Sequence, residues 1–157
     1  MLKPLLLTLA IAITSLSAQA ETAPDFSLDL HNASSLQQLS EHNYVYVDFW
    51  ASWCGPCRYS FPFMNKLQAE LGDDGLVVIA VNVDVDPKDA KPFLQQHPAE
   101  FAIHYDPSGD IATAFAVRGM PSSYLIHKGE ILTKHVGFRK SKQDQMFAEI
   151  ASYLKPQ

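Results

Sequence analysis

The chain has 157 residues, a formal charge of −5 at neutral pH, and 47% hydrophobic against 18% charged residues. Its length fits a single domain. An acidic balance without an evident basic cluster argues against nucleic acids and anionic membrane surfaces as partners. No internal repeat or low-complexity segment interrupts the sequence.

The N-terminus has the pattern of a secretory signal peptide. Lys3 precedes an apolar stretch at 5–16, and Ala-Gln-Ala at 18–20 is a small-x-small cleavage site. The apolar stretch is too short to span a bilayer comfortably, although an uncleaved membrane anchor stays open as the alternative. We therefore predict a signal peptide at 1–20 and one domain at 21–157.

The next segments lead into a central strand. Residues 26–30 are predicted to add an edge strand, and 34–39 to form one or two helical turns begun by a serine cap. The run Tyr-Val-Tyr-Val-Asp-Phe-Trp at 44–50 is almost wholly apolar and rich in β-branched and aromatic residues. This composition is typical of a strand that is buried on both faces of a sheet.

Both cysteines lie in the run Trp-Cys-Gly-Pro-Cys at positions 53–57. A structural disulfide stabilises by closing a long loop, and a two-residue loop removes little entropy from the unfolded chain. A redox pair is therefore favoured, with a structural disulfide or a metal site as alternatives. A zinc site would need two further ligands, usually a second closely spaced pair. The histidines are instead scattered, at His31, His42, His97, His104, His127 and His135.

A helix is predicted directly after the cysteines. Apolar residues recur at helical spacing from Phe63 to Leu71, and Gly72 ends the pattern. The cysteines thus lie where a buried strand turns into a helix. The unpaired N–H groups and positive dipole end of that helix favour a thiolate on Cys54.

The following segments alternate between strands and helices. Residues 76–83 form a second buried strand, which the intervening helix places parallel to the strand at 44–50 with a right-handed crossover. Asp86 and Pro87 are a cap and a first-turn proline for a helix ending near Gln96. Shorter elements follow, with a strand predicted at 101–105, a turn at 106–109 and a helix at 111–115.

The C-terminal part begins with a hairpin. Strands at 123–127 and 131–136 are separated by Lys-Gly at 128–129, which predicts an antiparallel pair. Ser141, with Asp144 three residues later, is the expected start of a last helix that continues to Leu154.

These features together resemble the thioredoxin superfamily. The resemblance rests on Val-Asp-Phe-Trp-Ala-Ser-Trp-Cys-Gly-Pro-Cys at 47–57, Pro62 after the second cysteine, and Arg-Gly-Met-Pro at 118–121. The additional helix and strand within 87–115 resemble the central insertion of the TlpA/ResA branch of secreted reductases. The resemblance implies an α/β thioredoxin fold, with a mixed central β-sheet flanked by helices and a TlpA/ResA-type central insertion.

The resemblance also implies roles for individual residues. Cys54 would be the exposed nucleophile and Cys57 the buried resolving thiol. Pro121 matches the family's cis-proline, which lies beside the disulfide and exposes the preceding backbone to an extended substrate. A proline at the entrance to a strand is the alternative reading of Pro121. The substrate groove is predicted from Trp53, Gly55, Pro56, Met120, Gly137 and Phe138, although as scattered residues they equally suit an ordinary core or surface.

Asp48 is a further catalytic candidate. A carboxylate within a doubly buried strand loses solvation, so its proton affinity should rise. It precedes the nucleophile by six positions and is suited to relay the proton of Cys57. The matching thioredoxin position carries a buried aspartate with that role, whereas many TlpA/ResA-like proteins differ there. An acid that is hydrogen-bonded at a strand end is the alternative.

The predicted activity is disulfide reduction by thiol–disulfide exchange, without an organic cofactor or a metal. An exported protein works in an oxidising compartment, so electrons must be resupplied. The resemblance suggests a periplasmic monomer, a membrane thiol transporter of the DsbD or CcdA kind as donor, and apocytochrome c or other exported thiol proteins as partners. A dithiol oxidase and a non-catalytic binding or chaperone module stay open as alternatives.

Overall fold

The computed structural model describes residues 21–155, so the predicted signal peptide lies outside the described residues. A six-stranded sheet and a separate two-stranded sheet are accompanied by five α-helices. The strands are β1 (Glu21–Thr22), β2 (Ser27–Leu30), β3 (Ala33–Ser35), β4 (Tyr44–Trp50), β5 (Leu76–Asn82), β6 (Ala102–Tyr105), β7 (Ser122–His127) and β8 (Glu130–Val136). The helices are α1 (Leu36–Ser40), α2 (Cys57–Leu71), α3 (Ala90–Gln96), α4 (Asp110–Ala114) and α5 (Gln143–Leu154), with short 3-10 helices at Pro87–Asp89 and Lys140–Lys142.

The main sheet is mixed, with the strand order β1-β8-β7-β4-β5-β6. Strand β4 pairs in parallel with β5 and antiparallel with β7, and β6 continues the parallel half. Residues 45–50 of β4 are all buried because helices cover both faces of the sheet. The mixed α/β architecture predicted from the sequence is confirmed, including the central position of β4.

Two apolar layers form on the two faces of β4 because successive side chains of a strand point in opposite directions. On one face, Tyr46 and Trp50 pack with the buried side of α2 and with Ile150 of α5. On the other face, Val47 and Phe49 pack with α1 and the end of α4. Helix α2 is thus fixed against the first of these layers.

The hairpin between β7 and β8 turns tightly at Lys128 and Gly129. Both residues have positive φ, at 51° and 75°. A two-residue turn of this kind matches the right-handed twist of the flanking strands, and glycine adopts it without steric cost. The hairpin prediction is confirmed.

Two predicted elements differ from the structure. Residues 26–30 do not extend the main sheet: β2 pairs with β3 in a separate hairpin, and β1 takes the sheet edge beside β8. The last helix does not begin at a Ser141 cap. Ser141 lies inside a 3-10 helix, and α5 begins at Gln143 without a side-chain cap. Local capping patterns cannot distinguish a 3-10 turn from the α-helix that follows it.

The segment between β5 and β7 contains the helix, strand and helix expected there. Asp86 caps the first 3-10 turn by accepting a hydrogen bond from the Lys88 N–H at 2.9 Å, as its sequence position predicts. The comparison of this segment with the TlpA/ResA insertion stays a prediction. Within residues 21–155, no helix is both long and apolar enough to cross a membrane.

Candidate functional site

The two cysteines form a disulfide at the junction between β4 and α2. Strand β4 ends at Trp50, a short loop carries Cys54, and α2 begins at Cys57. The loop is ordered by its own backbone, since the Cys54 N–H donates to the Ala51 carbonyl at 3.0 Å and the Cys57 N–H to the Cys54 carbonyl at 3.2 Å. The strand-to-helix junction expected from the sequence is therefore where the disulfide lies.

The two cysteines differ in their access to solvent. Cys54 is 6% exposed and Cys57 is fully buried. The expectation of an exposed Cys54 is therefore corrected: the residue is nearly buried, and it lines a cleft through which a partner can approach. Because Cys57 lies beneath it in the core with Phe61 and Met64, an incoming sulfur meets Cys54 first.

Pro121 lies at the start of β7, and the peptide bond between Met120 and Pro121 is cis, as the resemblance implies. The Pro121 carbonyl accepts a hydrogen bond from the Gly137 N–H at 2.7 Å, which ties this loop to the end of β8. The adjacent Ser122 hydroxyl donates to the Gly119 carbonyl at 2.6 Å. These bonds fix the segment before the proline next to the cleft.

A cleft of about 650 Å³ opens beside Cys54. Five residues from the predicted site line it: Trp53, Cys54, Gly55, Pro56 and Met120. Trp53 is 70% exposed, which is unusual for so large an apolar side chain and is typical of a binding surface.

Several other residues that line the cleft were not predicted from the sequence. Val83 follows the end of β5, Ala112 belongs to α4, and Val117 and Arg118 precede the cis-proline. The place of Val83 in the cleft could have been predicted from its position after β5, because ligands of open α/β sheets bind beyond the carboxyl ends of parallel strands. The place of Ala112 could not have been predicted, because only tertiary packing brings α4 to the cleft.

Gly137 and Phe138 lie outside this cleft. The Phe138 ring packs on Phe63 of α2 with ring centroids 5.3 Å apart. Gly137 has a φ of 77° and lines a second cleft, between the end of β8 and α5. Both residues therefore lie near Pro121 but do not line the cleft beside Cys54.

Asp48 lies in the interior of β4, on the same face as Tyr46 and Trp50 and hence on the side of Cys57. It is 2% exposed, and its Oδ2 atom has no hydrogen-bond partner among residues 21–155. Its cross-strand neighbours, Ala80 and Ser123, carry no charge.

Burial without a compensating cation raises the pKa of the Asp48 carboxyl well above its usual value. Burial also raises the pKa of Tyr46, and the charge of Asp48 adds to that effect while a hydrogen bond with Ser123 opposes it. The position in mid-strand differs from the strand-end alternative considered above. A carboxyl with a raised pKa in the core suits proton transfer better than ion pairing.

A buried polar network holds the loop in front of the nucleophile. Ser52 donates its backbone N–H to both carboxylate oxygens of Asp84, at 3.1 and 3.0 Å, and its hydroxyl to Oδ1 at 3.0 Å. The side chain of Asn82 donates to Asp84 Oδ2 at 2.8 Å. Sequence reasoning missed this network, because its two halves are far apart along the chain.

No group of three His, Cys, Asp or Glu side chains suited to a metal ion occurs in the part of the chain that the structure describes. The disulfide pairs the only two cysteines of the sequence.

The chain is similar in sequence to known oxidoreductases. The Redoxin family pattern matches residues 18–153. The thiol-disulfide oxidoreductase ResA of Halalkalibacterium halodurans is 31% identical over 145 residues, covering 91% of this chain and 81% of that protein. The thioredoxin-like protein YneN of Bacillus subtilis is 36% identical over 130 residues, covering 80% and 75%. The ResA of Bacillus thuringiensis is matched over only 61% of its length.

A solved structure agrees with these relatives. The crystal structure of a DsbE-type thiol:disulfide interchange protein from Chlorobium tepidum superposes with a TM-score of 0.79 at 43% identity, over 87% of this chain and 97% of that one. The fold and the disulfide beside the cleft define a thioredoxin-fold thiol-disulfide oxidoreductase. The chain belongs to the Redoxin family and is a TlpA/ResA-like member of the thioredoxin superfamily.

Proposed function

We propose that the protein is an exported disulfide reductase that acts on other exported proteins. The observation that carries the proposal is the unequal burial of the two sulfurs, with Cys54 reachable from the cleft and Cys57 enclosed behind it. This order suits a nucleophile followed by a resolving thiol. The relatives named ResA and DsbE support the exchange chemistry.

In the first step, the Cys54 thiolate attacks one sulfur of a partner disulfide. A bond forms between Cys54 and that sulfur, the partner's own disulfide breaks, and its other sulfur leaves as a thiolate. Cys57, once deprotonated, then attacks Cys54 Sγ and expels the second partner thiolate. Two electrons pass from the protein dithiol to the partner, and the 54–57 disulfide remains. No metal or organic cofactor takes part.

We assign to Asp48 the role of accepting the proton that Cys57 loses. A carboxylate in the core, two positions from both Tyr46 and Trp50, lies on the side of the sheet that carries Cys57. Its raised pKa brings its proton affinity closer to that of a thiol, which is the condition for efficient transfer between them. Cys57 has no exposed surface through which bulk water could take the proton instead.

The cleft is assigned to an extended segment of the partner. Trp53 and Met120 supply apolar surface to the cleft that Cys54 lines, and Gly55 and Pro56 also line it. Met120, which precedes Pro121, lines the same cleft as Cys54, and we assign its backbone to pairing with an extended partner strand.

We assign export and a periplasmic location to the mature protein because residues 1–20 have the pattern of a signal peptide. An oxidising compartment would leave the 54–57 disulfide closed after each turnover. A membrane thiol transporter of the DsbD or CcdA kind is therefore assigned as electron donor. Exported thiol proteins, apocytochrome c among them, are assigned as partners of a monomeric reductase.

The test is the reduction potential of the 54–57 couple, measured by equilibration with glutathione or dithiothreitol. Thioredoxin lies near about −270 mV and the oxidant DsbA near about −120 mV, a span of about 7 kcal/mol. Because Gly-Pro lies between the cysteines and Met120 precedes Pro121, we expect the potential to lie in the reducing half of this range. A potential near that of DsbA would reject the reductase and favour the oxidase. A disulfide that never exchanges would favour the binding module.

A further inference from the structure

The basic side chains of this acidic protein are concentrated in one segment, which we name the 134–142 segment. It contains Lys134, Arg139, Lys140 and Lys142 and has no Asp or Glu. These four are a third of the 12 lysines and arginines of the whole chain, and all of them are exposed. The expectation that the chain has no basic cluster is wrong for this segment.

The 134–142 segment lies directly beside the active site. Its Gly137 N–H donates to the carbonyl of Pro121, the cis-proline, at 2.7 Å. Its Phe138 ring packs on Phe63 of α2, the helix that begins with Cys57. The positions of Arg139 and Lys142 are then held by a bond from the Lys142 N–H to the Arg139 carbonyl at 2.8 Å. The 134–142 segment therefore contacts both the cis-proline and the helix that begins with Cys57.

The acids near the segment neutralise only part of its charge. Lys134 pairs with Glu21 at 3.0 Å, and Glu149 accepts hydrogen bonds from Thr133 and His135. In contrast, Arg139, Lys140 and Lys142 form no salt bridge within residues 21–155. Lys134, Arg139 and Lys142 line a cleft of about 500 Å³ together with Glu149.

This arrangement is unfavourable for the isolated fold. Lys140 and Lys142 immediately precede α5, whose N-terminus carries the positive end of the helix dipole, and cations there repel it. Asp144 is the one acid in the first turn of α5. The repulsion would be relieved by negative charge from outside the chain.

We propose that the 134–142 segment is a docking surface for an acidic segment of the protein partner, located next to the disulfide that Cys54 attacks. The inference rests on the proposed function, because the partner is the same molecule that exchanges its disulfide. Val136 is 73% exposed within the segment and offers apolar surface to the same partner. A protein partner fits better than an anionic membrane, because the charge of the remaining chain is strongly negative.

The experiment compares two disulfide-bonded peptides of identical ring sequence, one with an Asp-rich flank and one with a Lys-rich flank. The reduced protein is mixed with each peptide, and the exchange rate is followed by tryptophan fluorescence. At about 0.01 M salt, we expect the acidic peptide to react about tenfold faster. At about 1 M salt, where the Debye length is about 3 Å, the two rates should converge to within about twofold.

Charge-reversal variants make the test specific. Arg139→Glu with Lys142→Glu should abolish or invert the preference for the acidic peptide. Lys88→Glu with Lys91→Glu makes the same change in net charge beside Tyr105, at the opposite edge of the sheet, and should keep the preference. A neutral aromatic disulfide should react equally fast with all three proteins, because it carries no charge to steer.

The outcomes separate the two proposals. An acidic preference that survives Arg139→Glu with Lys142→Glu, or one that is insensitive to salt, would overturn the docking surface while the proposed function stands. Binding to phosphatidylglycerol vesicles that is lost in the same variant, without any peptide preference, would assign the surface to a membrane and overturn the protein partner. Failure to react even with the neutral disulfide would overturn the exchange activity and the docking surface together.

Discussion

Ser52 and Asp84 are 32 positions apart in the chain, yet the carboxylate of Asp84 accepts both the backbone N–H and the hydroxyl of Ser52. Asp84 is 2% exposed and is itself held by Asn82 at the end of β5. The loop that carries Cys54 is therefore held against the end of β5 by hydrogen bonds to the buried carboxylate of Asp84. This bond gives the nucleophile a fixed position relative to Cys57.

Replacing Asp84 should destabilise the protein because it leaves buried donors without a partner. We expect Asp84→Ala to cost about 3 kcal/mol and Ser52→Ala, which removes only the hydroxyl, about 1 kcal/mol. Urea unfolding of the oxidised proteins measures both values. Asp89→Ala, at an exposed acid whose side chain makes no capping bond, is the control and should stay within about 0.5 kcal/mol. Equal costs at Asp84 and Asp89 would refute the role of the network.

The two cysteines should behave differently when replaced singly. Cys57→Ser leaves Cys54 able to attack but removes the thiol that releases the partner, so mixed disulfides should accumulate. Cys54→Ser should abolish reduction without trapping, because Cys57 has no exposed surface. Non-reducing gels after incubation with a disulfide-bonded protein give the measurement. Equal trapping by both variants would remove the assignment of nucleophile and resolving thiol.

The contribution of Asp48 to the free energy of unfolding should fall as pH rises. Its folded-state pKa is raised by burial, so the folded protein binds the proton more tightly than the unfolded chain. The stabilising contribution is complete below the unfolded value of about 4 and is lost as pH climbs through the folded pKa. Each unit of the shift costs about 1.36 kcal/mol at high pH. Asp48→Asn should therefore gain stability relative to the wild type as pH increases.

The same substitution should slow turnover if Asp48 receives the proton of Cys57. Denaturant unfolding from acidic to alkaline pH, together with insulin reduction rates, measures both effects on the same proteins. Asp29→Asn, at an exposed acid on β2, is the control and should change neither. Parallel stability curves with unchanged rates would mean that Asp48 has no part in the chemistry.

Phe61 should be one of the most sensitive core positions. It is fully buried, and its ring lies 4.9 Å from the rings of Trp50 and Phe93 and 5.4 Å from that of Phe101, between centroids. Phe61→Ala should cost about 3 to 5 kcal/mol through lost contacts and the cavity left behind. Tyr59→Ala, on the exposed side of the same helix, should cost less than about 1 kcal/mol in the same thermal or urea measurement.

Much of the fold could be predicted because its signals are local. The apolar run at 44–50 and the helical spacing after Cys57 each report burial within one element, and both elements are present with nearly the expected bounds. One error arose where a choice between strand partners was needed, and another where a 3-10 turn precedes an α-helix. Strand β2 carries no signal in its own sequence to decide between the main sheet and the local hairpin with β3.

The sequence by itself determined the chemistry of this protein: two cysteines at the start of a helix, a carboxyl in a buried strand, and a proline before the hairpin. These depend on residue type and on position within one element. Only the tertiary structure decided which surfaces surround that chemistry. Asp84 reaches Ser52 because the parallel strands β4 and β5 end at the same edge of the sheet, and Ala112 lines the cleft because α4 packs there. Contacts between distant segments follow from packing, which no local periodicity encodes.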